Sequence, residues 1–372
     1  MSLKGKNNSE LKVAIIGGGF GGAAAAVALR SVGIKADLYE QAPVIGEVGA
    51  GIGMRPPTVE FFKDWGIYDA MVSKSSVSEY MEVVTGKGEV VFRERWPQLT
   101  DEPNARWSRL IHRADFIGTF LEHLPTESIH LDHKCKSVID YGDYAVVQFE
   151  GDKTIEADLV IAADGIRSNI RSKFFSDAEP VYSGTHAYRA VIDKEDSFDI
   201  APDNTFRVWV EGDVNVYVLP LHHRNQISFD VTVPSDDSSW APEVETKDIV
   251  KHLTNFDPRI QKVAERINDY TCRALYDIDP VERWTSNSIA LLGDAAHAML
   301  HHQGQGANQA IQDAGALAEA LRDADTIPQA LQRYQARRKP VTDKYQELSR
   351  LNPSEENQTA FPEKETFERV AE

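Results

Sequence analysis

The chain has 372 residues, which exceeds the usual size of one domain and predicts two domains with a substantial buried core. With 42% hydrophobic and 26% charged residues, its composition is typical of a folded globular protein and excludes a disordered, collagenous or coiled-coil chain. The 58 acidic residues outnumber the 40 basic residues, and the resulting net charge of −18 argues against nucleic acid or an anionic membrane surface as a partner.

The metal-binding and redox-active residue types form no recognised motif. Cys135 and Cys272 lie far apart and in no CxxC or zinc-finger spacing, so we expect neither a disulfide framework nor a structural zinc ion. His297, His301 and His302 lie close together, but no carboxylate stands at a recognised metal spacing from them. We therefore predict no metal site and a cytoplasmic location.

The longest apolar run, residues 13–29, is too short and too rich in glycine to predict a membrane span, because five glycines fall between positions 17 and 22. The polar leader, residues 1–10, lacks the order of charged and apolar segments found in a secretory signal. No membrane segment is expected.

Residues 11–16 form a short β-branched run typical of a strand that is buried on both faces. The glycine-rich turn 17–22 follows, then an alanine-rich segment that predicts a helix over 23–32, and then a second strand over 35–39 that ends at Glu40. This order of strand, glycine turn, helix, strand and acid is typical of a βαβ unit that binds a dinucleotide.

Each element of such a unit has a physical purpose. Gly17 permits the tight turn, Gly19 lets the backbone approach a pyrophosphate, and Gly22 permits close packing of the helix. The carboxylate of Glu40 can accept a hydrogen bond from a ribose 2′-hydroxyl, which favours NAD or FAD over NADP.

Two further strands end in similar loops. Residues 158–163 lead into Asp164-Gly165, and residues 288–292 lead into Gly293-Asp294. A glycine-containing loop, 304–308, then opens a helix. The apolar stripe of that helix comprises Ala307, Ala310, Ile311, Ala314, Leu317, Ala318 and Leu321. The free N–H groups at its N-terminus would suit the electron-rich pyrimidine edge of a flavin.

Together these motifs resemble the group A, single-component flavin-dependent aromatic hydroxylases. The segment Gly49-Ala50-Gly51-Ile52, Arg113 within residues 112–115, and the pair Tyr188-Arg189 match that family's pattern in the expected order. The resemblance extends over most of the chain and includes salicylate, 3-hydroxybenzoate and 6-hydroxynicotinate hydroxylases. It implies an α/β fold of the para-hydroxybenzoate hydroxylase (GR2) type, with a Rossmann-like FAD-binding domain, an inserted β-sheet substrate domain and C-terminal helices.

The resemblance also implies how the chain is divided. A discontinuous FAD-binding domain would comprise residues 1–75, 100–180 and 275–325, and the β-sheet substrate domain would comprise residues 76–99 and 181–274. The charged segment that follows predicts a C-terminal helix over 326–352, and the acidic, polar residues after it predict a flexible tail over 353–372.

Within this family pattern Glu40 would hold the adenosine ribose, Arg113 would lie near the pyrophosphate, and Asp294 would bind the ribitol. Asp164-Gly165 would contact FAD and take part in the use of NAD(P)H. The cofactor-binding residues that we expect are Gly17, Gly19, Phe20, Gly22, Glu40, Gly51, Ile52, Arg113, Asp164, Asp294, Gly304, Gly306, Ala307 and Asn308.

On the substrate side, strands are predicted over 182–192, 206–210, 214–219 and 226–233. Alternation along the third strand places Asn215, Tyr217 and Leu219 on one face, which we take as the pocket face. Some family members carry a His and a Tyr on this strand to deprotonate a phenol, but Asn215 and Leu219 stand at those positions here. A base would have to come from Tyr217, from a histidine such as His222, or from a residue that the sequence does not reveal.

In addition to Tyr217, two residues are candidates for a catalytic role. Arg55 could clamp a carboxylate or phenolate through its paired N–H donors. His301 stands where the family usually has a proline, and it is either a proton donor or a tolerated replacement. The structural alternatives are a half-buried sheet tyrosine for Tyr217 and a surface arginine for Arg55.

The resemblance implies an FAD-dependent monooxygenase that binds FAD non-covalently, uses NADH or NADPH and O2, and hydroxylates a small electron-rich aromatic or heteroaromatic ring through a flavin C4a-hydroperoxide. Substrates of the phenol, hydroxybenzoate or hydroxypyridine class are expected, acted on by a monomer or homodimer. The alternatives are a monooxygenase or epoxidase acting on a polyketide, antibiotic or alkene, and a non-catalytic flavin-binding protein.

Overall fold

The computed structural model describes residues 11–46, 49–95 and 108–351. Its strands, in chain order, are β1 (Val13–Ile16), β2 (Ala36–Tyr39), β3 (Gly51–Met54), β4 (Ser75–Ser78), β5 (Tyr80–Thr85), β6 (Val90–Arg95), β7 (Ser108–His112), β8 (Ile129–His130), β9 (Cys135–Asp140), β10 (Ala145–Phe149), β11 (Thr154–Ala157), β12 (Leu159–Ala162), β13 (Val181–Asp193), β14 (Phe206–Glu211), β15 (Val214–Leu221), β16 (Gln226–Pro234), β17 (Thr271–Asp277) and β18 (Ile289–Leu291). Its α-helices are α1 (Phe20–Ser31), α2 (Pro56–Asp64), α3 (Tyr68–Ser73), α4 (Arg113–Glu122), α5 (Asn169–Phe174), α6 (Thr246–Val250), α7 (Pro258–Arg266), α8 (Asp294–His297), α9 (Gly306–Asp323) and α10 (Ile327–Ser349).

A five-stranded parallel sheet in the order β18–β12–β1–β2–β8 forms the centre of the first layer. Strands β1, β12 and β18 consist of apolar residues that are buried throughout, as expected of parallel strands covered on both faces. Because the strands are parallel, the loops that follow β1, β12 and β18 meet at one edge of the sheet. The glycine turn, Asp164 and Asp294 are thereby brought to the same edge.

The first helix begins three residues earlier than the sequence predicted. The prediction started it at Ala23, whereas α1 begins at Phe20 and contains Gly21 and Gly22 in its first turn. Close packing explains the difference: a Cβ added at Gly22 would lie 1.8 Å from the carbonyl oxygen of Gly17, and one added at Gly21 would lie 2.6 Å from a methyl of Leu292. The glycines therefore allow the helix to start directly against the sheet edge.

A seven-stranded sheet in the order β17–β13–β16–β15–β14–β5–β6 forms the second layer. One of its faces packs on α6 and α7, through a buried cluster that includes Trp209, Phe229 and Ile260. The opposite face carries a row of cross-strand neighbours. In order along that row, which we call the cavity row, they are Arg189, Asp230, Tyr217, Val208 and Val83.

Two three-stranded sheets complete the strands, in the orders β11–β10–β9 and β3–β7–β4. The backbone N–H of Gly51 in β3 donates to the hydroxyl oxygen of Ser228 in β16 at 2.7 Å, so β3 is tied to the seven-stranded sheet. The segments assigned to the substrate domain, 76–99 and 181–274, supply β5, β6 and β13–β17 to that sheet, although β4 pairs with β7 instead and β17 continues to Asp277. The division into domains itself stays a prediction.

Of the last two helices, α9 packs against both α1 and α10. The helix predicted over 326–352 is α10, which spans Ile327–Ser349 and is capped by Thr326, whose hydroxyl accepts from the N–H of Gln329 at 3.3 Å. The tail predicted over 353–372 lies outside the described residues. Within residues 11–46, 49–95 and 108–351, no helix is long and apolar enough to cross a membrane.

Candidate active site

A cavity of about 430 Å³ lies between the carboxyl edge of the parallel sheet and the cavity row. Residues from both layers line it, which is the usual position of a ligand site in an open α/β fold. Twelve of the predicted site residues line it, namely Gly19, Phe20, Gly51, Ile52, Arg55, Arg113, Tyr217, Asp294, His301, Gly304, Gly306 and Ala307.

The glycine turn has the geometry that a pyrophosphate requires. Gly17 adopts φ +108°, and a Cβ there would lie 2.2 Å from the carbonyl oxygen of Ala163, so this position demands glycine. A Cβ at Gly19 would meet nothing within 4 Å, which means that space is open beside the N-terminus of α1. Gly17 and Gly22 do not line the cavity but shape this turn.

Glu40 lies next to the turn, where its carboxylate accepts from the N–H of Gly18 at 2.6 Å and from the N–H of Ala42 at 2.9 Å. The side chain is therefore held in place before any ligand binds. It does not line the cavity, and its contact with an adenosine ribose stays a prediction.

Arg113 and Phe20 form one wall of the cavity at this end. The guanidinium carbon of Arg113 lies 4.7 Å from the centre of the Phe20 ring, which is within the range of a cation–π contact. The backbone N–H of Arg113 donates to the carbonyl of Ala50 at 2.9 Å. The cation is thereby fixed beside the open N-terminus of α1, in a position that suits an anionic group.

Two buried acids follow the strands at the sheet edge. Asp294 opens into the cavity, and desolvation by the surrounding protein raises its pKa against the opposing charges of His297 and Arg113. Asp164 lies outside the lining, and desolvation likewise raises its pKa. Its Oδ2 accepts from the N–H of Ile170 at 3.4 Å, whereas its Oδ1 is buried without a hydrogen-bond partner among the described residues. An unsatisfied buried acceptor at this edge fits a ligand that supplies a donor.

A buried network holds the loop before Asp294. Asp313 of α9 contacts His297 at 2.5 Å, accepts from Arg338 of α10 at 2.7 Å and accepts from the backbone N–H of Gly293 at 3.2 Å. Burial alone would raise the pKa of Asp313, but His297 and Arg338 outweigh burial and lower it. Sequence reasoning did not find this network, because its members come from three separate segments.

The side chain of Asn308 is held by hydrogen bonds within the protein, and its expected contact with the cofactor stays a prediction. Its Oδ1 accepts from the N–H of Arg55 and the hydroxyl of Thr58, both at 2.8 Å, and its Nδ2 donates to the carbonyls of Gly53 and Gly304 at 2.8 and 3.0 Å. All hydrogen-bonding positions of the amide are therefore used within the protein. The side chain ties α2 and β3 to the loop before α9 and does not line the cavity.

The sheet side of the cavity carries the predicted catalytic residues. The hydroxyl of Tyr217 and Nδ1 of His302 lie 3.1 Å apart, and Nε2 of His301 lies 3.0 Å from the hydroxyl of Thr232. Desolvation by burial, with a smaller contribution from the charge of Asp230, raises the pKa of Tyr217 well above its usual range. These contacts join the loop before α9, which carries His301 and His302, to the seven-stranded sheet, which carries Tyr217 and Thr232.

Burial has the opposite effect on the two histidines. It lowers the pKa of His302 to about 4 and that of His301 well below its usual value. Tyr217, His301 and His302 are consequently all uncharged near neutral pH.

Arg55 is buried rather than a surface residue, and it lines the cavity at the start of α2. Away from it the wall is apolar, formed by Met81, Val83, Phe92, Phe206, Val208 and Leu219. Two expected residues lie elsewhere. Asn215 is buried outside the cavity lining, and His222 contacts the carbonyl of Asp203 at 3.2 Å, away from the cavity.

Sequence reasoning missed three polar residues of the lining as site residues: Arg189, Asp230 and His302. A signal for Asp230 was present. Ser228, Asp230 and Thr232 alternate with apolar residues along β16, which marks a polar face on a strand that is otherwise buried. The pairing of β16 with β13 and β15, which the sequence does not give, decides that this face is the cavity face.

Comparison with known proteins decides the family. The model of the family described as "FAD binding domain" matches residues 10–349. The chain belongs to this FAD-binding family. It is 30% identical to 3-amino-4-hydroxybenzoate 2-monooxygenase of Streptomyces platensis, over 90% of this chain and 85% of that protein. It is 29% identical to 6-hydroxynicotinate 3-monooxygenase of Pseudomonas fluorescens, over 92% of this chain and 91% of that protein.

The fold agrees with this assignment. HpxO of Klebsiella pneumoniae, solved with FAD and uric acid, superposes with a TM-score of 0.83 at 24% identity, over 92% of this chain and 88% of that one. The predicted fold class, the FAD cofactor and the resemblance to the group A flavin-dependent aromatic hydroxylases are thus confirmed. This FAD-dependent monooxygenase has an open glycine turn, a fixed arginine and an unsatisfied acceptor at the sheet edge, and these features fit the cofactor.

Proposed function

We propose that this FAD-dependent monooxygenase uses NADH or NADPH and O2 to hydroxylate a small ring of the phenol, hydroxybenzoate or hydroxypyridine class. The observation that carries the proposal is the single cavity that joins the cofactor loops to the cavity row, with Tyr217 on its wall. The relatives named above act on hydroxylated aromatic or heteroaromatic rings, as their names state.

When bound, the flavin would supply the redox chemistry between the nicotinamide reductant and oxygen. The residues of the chain have the remaining tasks. In this proposal Gly17, Gly19 and the N-terminus of α1 receive the pyrophosphate, with Arg113 beside it. Asp294 holds the ribitol.

On the substrate side, Tyr217 orients the ring hydroxyl. A tyrosine whose pKa is raised stays protonated, so it can donate to the substrate oxygen or accept from it while His302 holds its hydroxyl in place. The apolar wall of Met81, Val83 and Phe206 excludes water from the reacting ring. This arrangement supports a substrate with one polar edge and one apolar edge.

Arg55 is the proposed anion clamp. It is a guanidinium on the cavity wall, and its paired donors match a carboxylate or phenolate. In the same proposal His301 stays uncharged and positions the loop through Thr232, which favours the tolerated replacement of proline over a proton donor. We also propose that the enzyme is cytoplasmic and that it is a monomer or homodimer. Size-exclusion chromatography would test the oligomeric state.

The test is to purify the protein, measure bound FAD, and screen phenols, hydroxybenzoates and hydroxypyridines for stimulated oxidation of NADH and NADPH. We expect at least one ring compound to give a product with one added oxygen atom, in proportion to the reductant consumed. Coupled product from polyketides or alkenes alone would favour the alternative substrate class. Stimulated oxidation that yields peroxide and no product with any compound would contradict the proposal.

A further inference from the structure

Asp230 occupies the centre of the cavity row. It lies opposite Arg189 on one neighbouring strand and opposite Tyr217 on the other, and all three side chains line the cavity. Its side chain is 15% exposed, so the carboxylate is shielded from bulk water but reachable from the cavity. Cross-strand neighbours on one face are close enough to act on the same ligand.

The two oxygens of this carboxylate have different surroundings. Oδ1 accepts a hydrogen bond from the hydroxyl of Ser228 at 3.0 Å, and the Ser228 oxygen in turn accepts from the N–H of Gly51 at 2.7 Å. Oδ2 lies 3.7 Å from Nε of Arg189, which is too long for a hydrogen bond. Within the described parts of the chain, Oδ2 receives no hydrogen bond, so one oxygen is anchored and the other is available to a ligand.

Hydroxylation of a phenol is faster when the ring hydroxyl loses its proton, because the oxyanion donates electron density to the ring carbons. Tyr217 cannot accept that proton as a tyrosinate near neutral pH, since its pKa is raised. His302 and His301 are weak bases because burial lowers the pKa of each. Asp294 is a carboxylate on the same cavity, but it follows β18 among the cofactor loops rather than facing Tyr217 from the sheet.

We propose that Asp230 is the catalytic base of this monooxygenase and accepts the proton of the substrate's ring hydroxyl on Oδ2. The inference rests on the proposed function, because it requires a hydroxylated ring as substrate. In this step the O–H bond breaks heterolytically, the proton forms a bond to Oδ2, and the electron pair remains on the ring oxygen. Arg189 lies beside the site and stabilises the negative charge before and after transfer.

The electrostatic surroundings of Asp230 support this role. Desolvation by burial raises its pKa to about 6, while Arg189, the hydrogen bond from Ser228 and the charge of Arg113 limit the rise. A base with a pKa near the working pH is effective, because it is largely ionised and still holds a proton well. The titratable or charged groups that face Asp230 from the elements around it are Arg189, Tyr217, Arg113, His301 and His302.

The first experiment measures kcat/KM of the FAD-loaded enzyme against pH for the best substrate of the screen. We expect the wild-type value to rise as pH increases through about 6 and then to level off. Asp230→Asn keeps the shape and the Ser228 contact but cannot accept the proton, so kcat/KM should fall by about 100-fold at pH 7 and this rise should disappear. Asp193→Asn is the matched control, because it is the same substitution at an exposed end of β13 in the same sheet. It should leave the profile unchanged.

The second experiment needs no turnover. 4-Nitrophenol is titrated into the oxidised, FAD-loaded protein without NADH or NADPH, and its phenolate absorption is followed by difference spectroscopy. We expect the wild type and Asp193→Asn to bind it as phenolate below its solution pKa, and Asp230→Asn to bind it as neutral phenol. Across ring substrates of increasing acidity, the rate defect of Asp230→Asn should shrink, because an already ionised substrate needs no base.

The outcomes separate this inference from the proposed function. If the wild type hydroxylates a phenol and Asp230→Asn has the same rate, pH profile and bound phenolate, Asp230 is not the base although the function stands. If no ring compound is hydroxylated, the function fails irrespective of Asp230. Should Asp230→Asn lose FAD, the wild-type profile decides, and a kcat/KM that is flat from about pH 5 to about pH 8 overturns the proposal.

Discussion

The cofactor end and the substrate end of the cavity are built in different ways. At the cofactor end, short loops at the edge of one parallel sheet supply glycines, backbone N–H groups and acids from positions next to each strand. At the substrate end, side chains from five strands form one row, in which Arg189, Asp230 and Tyr217 are neighbours in space although the chain separates them. The first end depends on backbone geometry and the second on strand register.

This difference indicates which changes each end tolerates. A backbone turn built on Gly17 and Gly22 has no room for any side chain, whereas a wall residue can be exchanged without moving the strand that carries it. We therefore expect substitutions at the cofactor end to affect folding and FAD binding together. Substitutions in the cavity row should affect turnover while FAD remains bound.

The largest effect is expected from Asp313→Asn, in the buried network behind Gly293. Removal of its charge leaves His297 and Arg338 without their shared partner, and breaking a buried ion pair in this way costs about 3–5 kcal/mol. The free energy of unfolding, measured by urea denaturation, should fall by that amount and FAD should be retained poorly. Asp323→Asn, at an exposed pair with Arg322, is the control and should change stability little. A stable, flavin-loaded Asp313→Asn would show that this network does not support the cofactor end.

A smaller loss of stability is expected from Gly22→Ala. The new methyl would lie 1.8 Å from the carbonyl oxygen of Gly17, so the turn and α1 must move apart at a cost of about 1–3 kcal/mol. Gly118→Ala is the matched control, since a Cβ there meets nothing within 4 Å of its place in α4. It should be neutral or slightly stabilising. The thermal midpoint and the ratio of flavin to protein are the measurements, and equal FAD content in the two variants would contradict the expectation.

Tyr217→Phe should lower turnover without affecting FAD binding. It removes one hydroxyl from the cavity wall, together with its contact to His302, and keeps the ring in the sheet. We expect FAD content to stay at the wild-type level while kcat/KM falls about tenfold, which corresponds to about 1.4 kcal/mol of transition-state stabilisation. The physical reason is that the variant can no longer form a hydrogen bond to the substrate hydroxyl. Wild-type turnover in this variant would remove Tyr217 from the substrate site.

How far the sequence predicts each end follows from the same contrast. Gly17, Gly19 and Glu40 fall within 24 consecutive residues of one βαβ unit, so their spacing alone indicates the turn and its ligand. The start of α1 was wrong by three residues because Gly21 and Gly22 normally weaken a helix, and their close approach to Leu292 and Gly17 is a tertiary contact. The local sequence pattern does not reveal such tertiary contacts.

Residues of the substrate end were predicted less completely, although alternation along one strand did place Tyr217 and Leu219 on the cavity. Asp230 was missed because its position depends on the pairing of β16 with one strand on each side, β13 and β15. The Asp313 network was missed for a related reason, since burial of a charge becomes visible when α9, α10 and the loop before α8 are seen together. Pairing between distant segments is the part of the site that single-sequence patterns leave out.

The smallest predicted effect on turnover concerns Ser228, which links the two ends by holding Gly51 of β3 and Asp230 of the cavity row. Ser228→Ala removes the hydrogen bond that lowers the pKa of Asp230, so that pKa should move above about 6 and the acid side of the pH profile should shift to higher pH. Loss of the two hydrogen bonds should cost about 1 kcal/mol of stability each. The pH dependence of kcat/KM and a urea titration are the measurements, with Ser183→Ala on the neighbouring strand β13 as the control. A shift to lower pH would contradict the assignment of Asp230 as the base, because removing a donor from a carboxylate cannot favour its charged form.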